Sequence, residues 1–320
     1  MTQPKTAVGY LLPTREIVMA QAVPDLSRIM RLAERAEELG FDSIWVGDSI
    51  LARPRLEPLT TLAAAAARTS RVKLGTAVLL PALRHPVVLA NELANLDLVC
   101  NGRLILGLGI AGNNNSIERE FTACGVDFKH RIGIFEEGVA LMRRLWTEPE
   151  VTFHGRHFHL DGVRLGLRPA QSSGIPLWLA GGVDNALRRV LRLADGWFPL
   201  PNSPESFARN WERIESLAQE MGHGAARLAR AVYVTVNLND DTAQAEREMR
   251  SFMESYYKVS YETMVALQPP CNGPAARCVE WLQAFVERGA ETIVVRFGAP
   301  DQTAQQERFA AEVLPALRVA

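Results

Sequence analysis

The sequence predicts an α/β fold, a (β/α)8 (TIM) barrel with insertions, and three observations carry that expectation. Across its 320 residues, apolar, β-branched or aromatic runs alternate with segments of helical period, making eight units of roughly 40 residues each. No linker rich in proline, glycine or serine separates the units, so one domain over residues 1–320 is expected. A doubly wound sheet would ordinarily carry about six strands and a glycine-rich phosphate loop in its first turn. Leu12-Pro13-Thr14-Arg15 is no such loop.

The first strand is read at residues 7–12. After Pro24-Asp25 comes a helix whose apolar positions Leu26, Ile29, Met30, Ala33, Ala36 and Leu39 recur at spacings of three and four, closed by Gly40. A second strand at 43–48 precedes an alanine-rich helix over about 58–68. A third strand at 72–80 leads into a helix over 86–99 that starts on proline, where a missing N–H does no harm. The fourth strand, 103–109, opens into a glycine- and asparagine-rich loop at 110–116, and a helix follows over about 130–146. Residues 151–168 alternate in polarity around Gly155 and predict a hairpin insertion. The rhythm then resumes with strands at 176–180, 196–199, 231–237 and 292–297. Their helices are read near 184–193, 204–221, 242–255 and 274–288, with an irregular insertion at 256–273 and a last amphipathic helix over about 303–317.

Composition narrows the function. The 35 basic and 36 acidic side chains leave a formal charge of −1, with no basic stripe to neutralise a phosphate backbone, so no nucleic-acid partner is expected. With 48% hydrophobic residues the chain can bury a core. No apolar run approaches the roughly 18 residues of a membrane span, and the first residues lack the pattern of a secretory leader. Cys100, Cys124, Cys271 and Cys278 have irregular separations and read as reduced, buried thiols of a cytoplasmic protein.

In a barrel of this kind the working residues sit at the C-terminal ends of the strands, where eight loops converge. That criterion selects Tyr10, Asp48, Ser49, residues 76–80, residues 110–116, Gly181-Gly182, Trp197, Asn237 and Arg296. Gly181, Gly182 and Val183 pass from a strand end into a helix, which suits either a phosphate at the helix's positive end or merely a tight turn. Asn113 and Asn115 offer amide donors to a flat ligand, or form an exposed turn. Asp48 can bond a ring N–H, act as a base, or bond a neighbouring backbone amide; Arg296 can hold an anion or pair inside the rim. His85 can line the pocket or cap the helix that starts at Pro86. His154, His157 and His159 lie in the hairpin with Asp161 as their one acidic companion, so no metal site is expected. No serine–histidine or cysteine–histidine pair can be assembled, which points to chemistry carried by a cofactor. Lys73, the only strand lysine, lies too early in its strand for Schiff-base chemistry at the mouth.

Several motifs stand in a distinctive order. Residues 40–48 (GFDSIWVGD), 74–78 (LGTAV), 84–90 (RHPVVLA) and 102–109 (GRLILGLG) are followed by Phe128-Lys129-His130-Arg131, Phe135-Glu136, Leu145-Trp146, Phe153-His154-Gly155 and Ala194-Asp195-Gly196-Trp197. This series resembles the bacterial luciferase-like family of flavin-dependent oxidoreductases. The resemblance implies a luciferase-like barrel, usually dimeric, that binds FMN or the deazaflavin coenzyme F-420 at its mouth. It also implies a bulged third strand with a non-proline cis peptide at Ala77–Val78 behind the flavin ring, and phosphate-binding glycines at Gly181-Gly182. Many deazaflavin-using members carry histidine directly after the aspartate that ends strand two; here that residue is Ser49.

On these grounds the leading expectation is a luciferase-like monooxygenase acting on a small organic molecule with oxygen and reduced FMN from a separate reductase. Asp48, Asn113 or Asn115 would bond the ring, Ala77-Val78 would back it, and Gly181-Gly182 would hold phosphate. The alternative is hydride transfer with coenzyme F-420, and a non-catalytic flavin carrier is the reading of another class. The pocket roof is expected from the loops after strands one, four and seven.

Overall fold

The computed structural model describes residues 5–318, except 21, 22, 24, 202 and 223; His223, which its place between Gly222 and Gly224 reads as a surface-loop residue, therefore lies outside the described residues. The strands are β1 (Ala7–Leu11), β2 (Ser43–Val46), β3 (Lys73–Leu79), β4 (Leu104–Leu108), the hairpin strands β5 (Val151–His154) and β6 (His159–Val163), then β7 (Leu177–Leu179), β8 (Gly196–Trp197), β9 (Ala229–Leu238), β10 (Cys271–Gly273) and β11 (Thr292–Phe297). Eight of them close in the order β1-β2-β3-β4-β7-β8-β9-β11, with β11 returning to β1, and every pairing in the ring is parallel. The helices between them cover the outside, as the alternation requires, because a parallel strand pair needs a crossover.

Large rings fill the barrel interior. Trp45, Trp178 and Phe198 pack with centroids 5.2–5.9 Å apart, joined by Leu11, Tyr233 and Val294. Such rings fit only because the facing strand positions are glycines: a Cβ at Gly9 or Gly75 would run into the Trp45 indole, and one at Gly196 into Trp178. This stack is the floor on which anything bound at the mouth must rest.

Several boundaries match the expected ones, among them the helices Pro86–Val99 and Asp184–Leu193 and the last strand. Four expectations need correction. Residues 256–273 are not irregular: the helix Thr242–Tyr257 ends with Lys258 in the left-handed conformation, Ser260 caps a second helix, Tyr261–Leu267, and β10 lies parallel on β9. The loop at 110–116 is shorter than read, because Asn114 caps a helix at Asn115–Ala123 by accepting from the Ile117 N–H. The last helix is two, Gln302–Glu312 and Leu314–Arg318, since Pro315 has no N–H with which to continue the ladder. Of the four free cysteines, Cys124 is only half-buried, and the Cys271 and Cys278 sulfurs stand 3.5 Å apart. Among the described residues no helix is long and apolar enough to cross a membrane.

Candidate active site at the barrel mouth

The third strand is the most distinctive element of the mouth. Its register against β4 shifts between Thr76 and Leu79, and the Ala77–Val78 peptide is cis. Both residues stay half-buried, against the stack of Trp45, Trp178 and Phe198. Gly107 and Gly109 on the neighbouring strand make the room: a Cβ at Gly107 would meet the Thr76 carbonyl oxygen, and one at Gly109 the Val78 side chain. The outcome is a small apolar wall beside which the adjoining positions 107 and 109 are glycines, a surface for one face of a flat ring.

A second feature lies at the ends of β7 and β8. Gly181 and Gly182 lead into the helix Asp184–Leu193, whose N-cap Val183 makes no side-chain capping bond. The N–H groups of Gly182 and Val183 find no backbone partner among the described residues. Gly181 is held by the Trp197 indole N–H, which donates to its carbonyl at 2.8 Å. With Pro199, Ser206 and Asn210 these residues line a hollow of about 450 Å³. Asp184, the acid of that first helical turn, is ion-paired to Arg213, so it does not repel an anion at the helix start.

Several sequence-selected residues turn out to be engaged elsewhere. Asp48 accepts from both Arg84 terminal nitrogens, at 2.6 and 3.2 Å, and from the Leu80 N–H at 3.0 Å, and its side chain is 1% exposed. Neither oxygen is free to act as a base or bond a ring; of the roles considered for it, the backbone-amide bond is the one the structure shows. Asp48→Asn is expected to cost about 2 kcal/mol in denaturant unfolding, less than for a fully buried pair because Arg84 keeps Glu57 and part of its surface stays wet. The pH profile of turnover should keep its limbs; losing one would restore a catalytic role to Asp48.

His85 is exposed and caps its helix, Nδ1 accepting from the Val87 N–H, so it does not line the mouth. Asn237 is wholly buried among Glu248, Gly298 and Gln305, and the Tyr10 hydroxyl donates to Gln302. Asn113 and Asn115 are exposed. His154 binds Asp161 on the hairpin, and among the described residues no group of three potential ligands gathers for a metal.

Arg296 does reach the mouth. It is 2% exposed, donates from Nε and Nη2 to the Thr235 hydroxyl and from Nη2 to the Tyr257 hydroxyl, and lies against the rings of Tyr233, Phe252, Tyr256 and Tyr257.

Glu120 was not legible in the sequence. Buried at the start of nothing recognisable in the pattern, its Oε1 accepts from the Ser49 hydroxyl and from the N–H groups of Ile50, Leu51 and Ala52. It thereby fixes the loop after β2. Ser49, standing where a histidine resemblance would place a proton carrier, is spent on that anchor and on accepting from the Arg53 N–H.

The luciferase-like monooxygenase family model matches residues 6–292. An F420-dependent glucose-6-phosphate dehydrogenase of Beutenbergia cavernae is 31% identical, covering 88% of this chain and 91% of its own, and one of Intrasporangium calvum is 30% identical over 89% and 92%. Among solved structures, the monooxygenase RslO1 from Streptomyces bottropensis superposes with a TM-score of 0.82 at 25% identity, covering 97% of this chain and 99% of its own. An F420-dependent secondary alcohol dehydrogenase in complex with an F420-acetone adduct superposes with a TM-score of 0.83 at 22% identity, over 98% and 100%, and supports the fold alone.

Proposed function

The chain belongs to the luciferase-like monooxygenase family, and from that premise we propose that it is a deazaflavin-dependent oxidoreductase that moves a hydride between coenzyme F-420 and a small organic substrate. This reverses the order of the two expectations from sequence: the relatives at 30–31% identity bear the deazaflavin in their names, which favours that cofactor over FMN with oxygen.

The fit to the group rests on the mouth itself. Ala77 and Val78 offer an apolar wall for one ring face, with room beside it left by Gly107 and Gly109. Gly182, Val183 and the start of the helix Asp184–Leu193 present to a phosphate N–H groups that are unpaired among the described residues. When bound, the deazaflavin supplies two-electron chemistry as a hydride acceptor or donor. The chain's own share is position and dryness. Trp45, Trp178 and Phe198 exclude water from beneath the site, and the Glu120 anchor holds the loop after β2 in one place. The Asp48–Arg84 pair ties β2 to the segment after β3, keeping the wall in register with that loop.

The observation that carries the reading is the glycine-cleared Ala77–Val78 wall, taken together with the deazaflavin-named relatives. Fluorescence titration of the purified protein tests it: deazaflavin is expected to bind roughly tenfold or more tightly than FMN. Tight FMN binding with none of the deazaflavin would sink it, and oxygen uptake with reduced FMN would then restore the monooxygenase.

A further inference from the structure

Four arginines from three separate segments gather at the mouth. Arg15 follows β1, Arg53 and Arg55 lie on the loop after β2, and Arg296 stands near the end of β11. They share the rings at the end of the helix Thr242–Tyr257. The guanidinium carbons lie 4.9 Å (Arg15), 5.9 Å (Arg55) and 4.6 Å (Arg296) from the Tyr256 centroid, and Arg53 lies 5.2 Å from that of Tyr257. Ring faces attract cations but do not neutralise them.

These cations are short of acceptors. Arg15 is 5% exposed, and its Nε and Nη1 are buried without a hydrogen-bond partner among the described residues. Arg296 uses Nε and Nη2, while its Nη1 bonds nothing among the described residues. None of the four is ion-paired among the described residues, in contrast to Arg84, Arg143 or Arg189. Glu16 is the acid beside them, and burial pushes its carboxyl above the ordinary range against the pull of Arg296 and Arg55. Burial, and then the charges of Arg55 and Arg53, pull the Arg15 guanidinium below its usual value. Buried guanidinium donors left without acceptors are costly, so their retention calls for an explanation, and a ligand supplies one.

We propose that Arg15, Arg53, Arg55 and Arg296 form a subsite for an oxyanion group of the substrate, a phosphate, sulfonate or carboxylate, with Tyr256 and Tyr257 packed against it. Planar guanidinium forks suit two-oxygen recognition of such groups, and segments after β1, β2 and β11 deliver them to one place. The subsite rests on the oxidoreductase reading above and names the class of its substrate: a small molecule with an oxidisable or reducible carbon and an anionic tail. The arginine donors follow β1, follow β2 and end β11, whereas the Gly181-Gly182 hollow follows β7, so substrate anion and cofactor phosphate are held by different segments.

The test is calorimetric titration of the cofactor-free protein with inorganic phosphate at constant ionic strength, beside deazaflavin titration by fluorescence. Arg53→Gln, on a half-buried loop, and Arg15→Gln are each expected to weaken phosphate binding roughly tenfold or more. Glu16→Gln should strengthen it several-fold by removing a neighbouring acidic group. Deazaflavin affinity should stay within about twofold of wild type in all three, while Gly182→Val weakens deazaflavin instead. The proposal is overturned if wild type shows no saturable phosphate binding, if phosphate binding responds only to Gly182→Val, or if the arginine variants weaken deazaflavin as much as phosphate. Should phosphate behave as expected while deazaflavin fails to bind, the anion subsite stands and the cofactor assignment falls.

Discussion

Gly107→Ala is expected to lower stability by about 3 kcal/mol and to weaken deazaflavin binding by roughly tenfold or more. The added Cβ would collide with the Thr76 carbonyl oxygen, a backbone atom that cannot swing aside, and would come within 3.0 Å of the Phe198 ring. Thr76 is itself clamped to this position, its hydroxyl donating to the Gly107 carbonyl at 2.8 Å. Relief therefore has to come from the β3 backbone between Thr76 and Leu79, the segment whose shifted register shapes the wall behind the ring. Gly166→Ala, where a Cβ meets nothing within 4 Å, is the control and should change stability by less than about 0.5 kcal/mol. Denaturant unfolding and cofactor titration on the same two variants decide the matter. A Gly107→Ala protein that binds like wild type would mean that the wall is not what receives the ring.

Glu120→Ala should cost about 3 kcal/mol or more, a large effect for a residue that touches neither proposed ligand. Its carboxylate takes three consecutive backbone N–H groups and the Ser49 hydroxyl, and all of these lose their acceptor together. Hydrogen exchange should rise at residues 50–52, and because Arg53 and Arg55 ride on the same loop, phosphate binding should weaken in parallel. Glu120→Gln, which keeps an acceptor oxygen, should retain part of both. An alanine variant with unchanged exchange at 50–52 would show that the loop is held by other contacts.

The barrel was legible in the sequence because its signals are local. A run of β-branched residues followed by a helical period is complete within about 40 residues, and proline or glycine marks the ends, as at Pro86 and Gly40. The elements that escaped are those with too few residues to show a period, such as the three-residue β10, and those whose start is set by one side chain, such as the Asn114 cap. At the site, the family resemblance placed the cis Ala77–Val78 peptide correctly. Strand ends alone left the roles of Asp48, Asn237 and Tyr10 open, since position at a strand end says nothing about which partner has already claimed a polar atom.

Order along the chain was thus enough to establish the alternation, the hairpin and the family resemblance, all of which depend on neighbours within a segment. Partnership between segments was beyond its reach. The Asp48–Arg84 pair spans 36 residues, Glu120 reaches back about 70 to its loop, and Arg15 and Arg296 meet the same tyrosine from opposite ends of the chain. Whether a buried carboxylate is free, or a buried guanidinium unsatisfied, depends on which atoms closure of the barrel brings within hydrogen-bond distance, and no periodicity encodes that.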